Sequence, residues 1–192
     1  MKRIHAILAV AACSAVVTGV ALAQQTEQPR PQQQQATALS PGDKLFVDAA
    51  FDINQGEILL GKLAQEKGTT AAVKQYGARM EKDHTAALDD LRDIAHKDGF
   101  ALPAQVSAAQ RTAYDDMSKL SGTAFDSAYL DHMKTGHMQA ISKFANEAQT
   151  GQNPDLKNYA SSLLAVLHMH ETLVQEDLQH QGAAPSQGAP QH

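Results

Sequence analysis

Four ionisable residues, Glu57, His84, His137 and His170, stand where a protein most readily builds chemistry. Each interrupts a run of apolar residues spaced by three and four, the pattern of a helix face turned to a core. The first stripe is Phe46, Ala50, Ile53, Glu57, Leu60, Ala64, and the second Val73, Gly77, Met80, His84, Ala87, Leu91, Ile94. The third is Met133, His137, Ala140, Phe144, and the fourth Leu156, Ala160, Leu163, Leu167, His170, Val174. A carboxylate or imidazole taken into a core is costly unless it is hydrogen-bonded or holds a metal. All four lie near the midpoints of their predicted helices. Aligned midpoints would bring them into one layer, within about 5 Å along the bundle axis. Three imidazoles and one carboxylate then form a ligand set for one divalent transition ion, Zn, Fe, Mn or Cu.

The neighbours sort around that set. Glu81 is three residues before His84 and nearly on its face, so it is an additional candidate ligand. Asp83 is less well turned and is expected behind a ligand or at the surface. His168 is a reserve ligand beside His170, while His96, His132, His180 and His192 are expected in solvent. Met80 and Met133, each four residues before a histidine, read as core. A second reading of the same four residues stays open: a hydrogen-bonded polar layer that fixes helix register without any metal.

The elements that must position these residues are legible from their punctuation. One helix is predicted from about Asp43 to Lys67, stopped by Gly68, and another from Thr69-Thr70 to Gly99. Pro103 opens a loop, and Ser107 with Gln110 is spaced as a capping box for a short helix to about Leu120. A third long helix follows Thr123 and ends before Gly151. Asn153-Pro154 is a cap with a first-position proline, opening a fourth that runs to about His180. Short turns make two antiparallel hairpins, and the long middle connection is that of a ferritin-like four-helix bundle rather than a simple up-down bundle. The predicted fold class is all-α.

Flanking segments have other roles. Residues 1–23 read as a signal peptide: Lys2 and Arg3, an apolar run from Ile7 to Val20, and Ala21-Leu22-Ala23 as cleavage site. An uncleaved anchor needs a longer apolar run. Cys13, the only cysteine, sits in a lipoprotein-like box that would cut this run in half. Cleavage near Ala23 leaves a chain without cysteine, hence without disulfide or thiolate chemistry, located in the periplasm or secreted. Residues 24–42, rich in Gln and Pro, are expected to be a disordered linker, and 181–192 a loose tail, with the bundle over 43–180. Without residues 1–23 the chain carries 14 basic and 21 acidic residues, a balance that disfavours nucleic acid and anionic membrane as partners. No integral membrane span is expected in the mature chain.

Several motifs then resemble one family. Phe46-Val47 with Ala49-Ala50 and Glu57-Ile58-Leu59-Leu60-Gly61-Lys62-Leu63-Ala64 resemble the opening of the bacterial exported family called domain of unknown function 4142. Met80-Glu81-Lys82-Asp83-His84 resembles its Met-x-x-Asp-His element. Phe125-Asp126-Ser127-Ala128-Tyr129 with Met133 and His137 resembles its third-helix signature, and Leu164 to His170 its last, with Ala165 where proline is common. The resemblance covers about residues 43 to 178 and implies a ferritin-like bundle in the cell envelope, with no established activity. Di-iron ferritin-like proteins place Glu on two helices and Glu-x-x-His on two others. Here His137 replaces a carboxylate and Leu167 stands three before His170, so one ion suits the chain better than two. There is no phosphate loop, nucleophile elbow or zinc-protease His-Glu-x-x-His. A redox enzyme would also need an open coordination position and an electron partner, for which the sequence offers no signal. The leading expectation is a periplasmic metal-binding bundle in metal handling or envelope stress, and the alternative a structural or protein-interaction module.

Overall fold

The computed structural model describes residues 39–182, so the signal-peptide, lipoprotein-box and tail readings, and most of the linker, lie outside the described residues. Five helices and no strands are found in this range: α1 Pro41–Lys67, α2 Ala71–Asp98, α3 Ala108–Ser118, α4 Gly122–Thr150 and α5 Pro154–Gly182. The boundaries follow cap chemistry. Ser40 accepts the Asp43 N–H, Thr70 that of Val73 and Ser107 that of Gln110. Asn153 Oδ1 accepts from Asp155 and Leu156, with Pro154 in the first turn. Gly99 ends α2 at φ 74, a left-handed conformation for which glycine has no side-chain penalty. The first helix starts two residues earlier than the sequence pattern indicates, because Ser40 rather than a later residue caps it and Pro41 fits its first position.

The four long helices form two hairpins, α1–α2 and α4–α5, with α1 packed on α4 and α2 on α5. Phe46 near the start of α1 meets Phe144 near the end of α4, ring centroids 5.1 Å apart, so these helices run antiparallel. The connection from α2 to α4 therefore crosses the length of the bundle, and α3 within it lies against α1. The all-helical architecture and the long crossover agree with the sequence expectation. Among the described residues no helix is long and apolar enough to cross a membrane.

Each hairpin is pinned by an aspartate of the other. Asp43 of α1 accepts the backbone N–H groups of Gln152 and Asn153 at the α4–α5 turn, at 2.8 and 3.1 Å. Asp126 of α4 accepts the Thr69 N–H at 3.0 Å at the α1–α2 turn, together with the Thr69 hydroxyl. Inside the first hairpin the backbones come unusually close: a Cβ on Gly61 would lie 2.6 Å from the Gly77 carbonyl oxygen, and one on Gly77 2.7 Å from that of Gly61. Glycine at both positions is what lets α1 and α2 cross at this distance.

Glu147 of α4 is buried against Asp43, and burial with the charge of Asp43 pushes its carboxyl up to about 7. Burial also works against the Asp43 charge, but hydrogen bonds from Gln152, Ser40, Glu147 and Asn153 hold that carboxyl below its ordinary value. The proton therefore resides on Glu147, which donates to Asp43. A carboxyl raised in the fold contributes stability that is present below its unfolded value of 4.5 and is lost as pH climbs through 7. A glutamine amide in its place would keep the donor and never ionise. Glu147→Gln is expected to leave thermal stability unchanged near pH 4 and to raise the melting temperature by about 3 °C at pH 8, for a partly solvent-screened effect of ~1 kcal/mol. Melting curves across that pH range test it; a variant no more stable at pH 8 than at pH 4, relative to the parent, refutes it.

Candidate metal centre

The core divides into two apolar clusters. One holds Phe46, Ala50, Leu91, Phe144, Leu156 and Tyr159, and the other Leu60, Val73, Tyr76, Phe125, Tyr129 and Met133. Between them lies a polar belt of Asn54, Glu57, His84, His137 and His170, all buried, His170 completely. Histidines from α2, α4 and α5 converge there. One ring nitrogen of each lies within 4.8 Å of the others, and ring centroids are 5.2 to 5.8 Å apart.

The hydrogen bonds around the belt fix the ring tautomers. Asn54 Nδ2 donates to the Ala50 carbonyl at 2.8 Å and to the Tyr159 hydroxyl at 2.9 Å. Its Oδ1 is therefore the acceptor that faces His84 Nδ1 at 2.8 Å, and His84 Nδ1 carries hydrogen. His137 Nδ1 faces the Met133 carbonyl at 2.8 Å and must also donate. His170 Nε2 faces Asp83 Oδ2 at 3.0 Å and donates to that carboxylate. In neutral rings the three remaining nitrogens, His84 Nε2, His137 Nε2 and His170 Nδ1, each hold a lone pair. His137 Nε2 and His170 Nδ1 stand 3.2 Å apart, and while both rings are neutral neither has a hydrogen to give the other. His84 Nε2 is buried without a partner.

Charge on these rings is disfavoured. Burial, then the neighbouring His137 and His170, hold His84 well below the ordinary imidazole range. Burial brings His137 down to about 4 despite its bond to Met133, and lowers His170 although Asp83 opposes the shift. Glu57 is the complementary case: burial raises its carboxyl to about 8, and its Oε2 has no partner. Its other oxygen lies 3.5 Å from where a Cβ on Gly136, the residue before His137, would stand.

The sequence-derived set is thus placed unevenly. The three histidines come together as expected. Glu57 is in the belt but three residues, about 4.5 Å, along α1 from Asn54, the residue that meets His84; it is not among the groups within 4.8 Å of one another. Glu81 turns away, accepting from Gln65 Nε2 at 2.7 Å and lying 3.6 Å from Lys62. Asp83 stands behind His170, as expected. His168 is exposed, 3.7 Å from Glu171, and His132 is half-buried rather than solvated, its imidazole lowered by that burial. Asn54 is the member of the belt that the sequence pattern does not single out. Its signal is there: it precedes Glu57 by three on the same face, and a polar residue beside an apolar stripe reads as the edge of that stripe until a partner is known. Tyr76, whose hydroxyl donates to the His170 carbonyl at 3.2 Å, likewise reads as packing from sequence.

This arrangement suits a tetrahedral ion. Nitrogens at ~2.0–2.1 Å from such an ion stand about 3.4 Å apart; His137 Nε2 and His170 Nδ1 are 3.2 Å apart, and the three rings together present nitrogens within 4.8 Å of one another. Each ligand ring is also oriented from behind by an acceptor, the usual support for metal-bound imidazole.

The crystal structure of a DUF305 fragment from Deinococcus radiodurans is similar, with a TM-score of 0.66, covering 75% of this chain and 99% of that one at 11% identity. At that identity the likeness is one of fold. No curated protein matches the sequence. The family model described as "Domain of unknown function (DUF4142)" matches residues 28–176, and the chain belongs to that family.

Proposed function

We propose that this protein binds one divalent transition-metal ion in its core through His84, His137 and His170, with Glu57 turning in to close the fourth position, and that it serves metal handling or envelope stress in the periplasm. The observation that carries this reading is the set of three convergent ring nitrogens, one of them, His84 Nε2, buried without a partner, beside a buried carboxyl oxygen, Glu57 Oε2, that also lacks one. A cation in the belt satisfies all of them. The basic start, apolar run and Ala21-Leu22-Ala23 pattern support export. Binding, not turnover, is the role the residues support.

Equilibrium dialysis of the untagged protein against Zn, Mn, Fe and Cu, with elemental analysis, is expected to give about one ion per chain. Less than about a tenth of an ion per chain for every metal overturns the reading. One observation favours the metal-free alternative: Asp83 could balance a second proton on His170, which would then donate from Nδ1 to His137 Nε2. That layer would serve a structural or protein-interaction module, and its stability would be indifferent to every metal offered.

A further inference from the structure

The belt is buried, and a surface groove beside it shares two residues that touch His170. Between α2 and α5 the surface opens into a cavity of about 450 Å³, lined by Tyr76, Arg79, Lys82, Asp83, Leu173 and Asp177, among others. Two of these touch the centre from outside: Asp83 accepts from His170 Nε2, and Tyr76 donates to the His170 carbonyl. The Asp83 side chain keeps 20% of its surface in solvent, whereas the His170 side chain has none. The same Asp83 oxygen that binds His170 lies 3.7 Å from Arg79 Nη1, one turn back on α2. One carboxylate is therefore shared between a buried imidazole and a half-exposed surface cation.

We propose that this groove is the loading route of the metal ion and that Asp83 is its gate, with Arg79 as the cation that holds the gate shut. The inference rests on the metal reading above. An incoming divalent ion displaces Arg79 from Asp83, because a double charge outcompetes a half-exposed guanidinium for a carboxylate. Asp83 is then the first protein ligand the ion meets, and engagement of its oxygen loosens the bond that holds His170 in place. The ion passes into the belt, Asp83 returns to His170 Nε2, and Arg79 closes over it. Lys82 and Asp177 also face the groove, so its walls carry two cations and two carboxylates, and no net charge fills it.

The test uses Co²⁺ as probe, since its visible absorption reports tetrahedral ligation directly. Stopped-flow mixing at 0.15 M salt gives the loading rate, excess chelator gives the stripping rate, and dialysis gives the affinity. Arg79→Gln is expected to speed loading and stripping alike, by roughly tenfold, with affinity within about threefold of the parent. Lys97→Gln removes an equal charge from the far end of α2, where it pairs with Asp155; it lies beyond the ~8 Å reach of charge at this salt and should change neither rate. Asp83→Asn is expected to lose affinity through slower loading. Loss through faster stripping alone would mean that Asp83 only steadies His170. Loading by Arg79→Gln at the parent's rate, in a protein that still binds Co²⁺ stoichiometrically, overturns the gate and leaves the metal centre standing. A parent chain that takes up no Co²⁺ overturns both.

Discussion

One equivalent of Zn²⁺ is expected to raise the melting temperature of the purified protein by about 8 °C, and His137→Leu to abolish that rise. An ion held at a hundredfold excess over its dissociation constant stabilises the fold by ~2.7 kcal/mol, and a domain of this size gains roughly 2–4 °C per kcal/mol. The chain has no tryptophan, so helical circular dichroism is the natural signal. His137 is the ring to remove, because its Nε2 lies opposite His170 Nδ1 at 3.2 Å and without it only two of the three convergent nitrogens remain. Leucine fills a similar volume in a layer between two apolar clusters, so the metal-free variant should melt no lower than the parent. His168→Ala, which alters an exposed ring two residues from His170, should keep the full metal response. If His137→Leu instead destabilised the metal-free protein by several degrees while zinc left the parent unmoved, the belt would be a hydrogen-bonded layer and nothing more.

How much of this is legible in the sequence depends on which contacts are local. Caps and stops such as Ser40, Thr70, Gly99 and Asn153-Pro154 act within one turn of chain, and they place the helices to within a few residues. The histidines are legible because each breaks a helical stripe at mid-height, and α2, α4 and α5 do align there. The carboxylate misses its expected place because Glu57 lies three residues past the midpoint of α1, which is Asn54; α1 and α2 are centred on each other, and the register that brings Gly61 to Gly77 puts Asn54, not Glu57, opposite His84. The register itself is set by packing between the two helices, which neither residue's own neighbourhood records. The same blindness affects Glu81, whose spacing from His84 matches a familiar motif while Gln65 and Lys62, packed beside it from α1, claim its carboxylate. The aspartates that pin each hairpin's turn, Asp43 and Asp126, act across more than fifty residues. A sequence pattern cannot announce such pairings, although a buried aspartate near a helix start is where they belong.

Glu57→Leu separates binding from packing, because its two effects are expected to have opposite signs. In the metal-free fold Glu57 is a liability: burial raises its carboxyl to about 8, so it carries a proton at neutral pH, and Oε2 finds no partner. An unsatisfied buried polar atom costs roughly 1–3 kcal/mol. Leucine removes that cost at similar volume, so the metal-free melting temperature should rise by about 5 °C. On the proposed reading, the same carboxylate would give an ion in the belt a fourth ligand and a negative charge in a desolvated site, and its loss should weaken affinity at least tenfold. Glu57→Gln keeps the shape without the charge; it should leave metal-free stability near the parent's while lowering affinity almost as far. A residue kept only to fix packing would not behave this way, since its removal would lower stability and leave metal affinity alone. Should Glu57→Leu gain stability with affinity intact, the three histidines hold the ion without it and solvent takes the fourth position. Stability and affinity, read together on one variant, therefore tell a carboxylate that holds an ion from one that only fills the core.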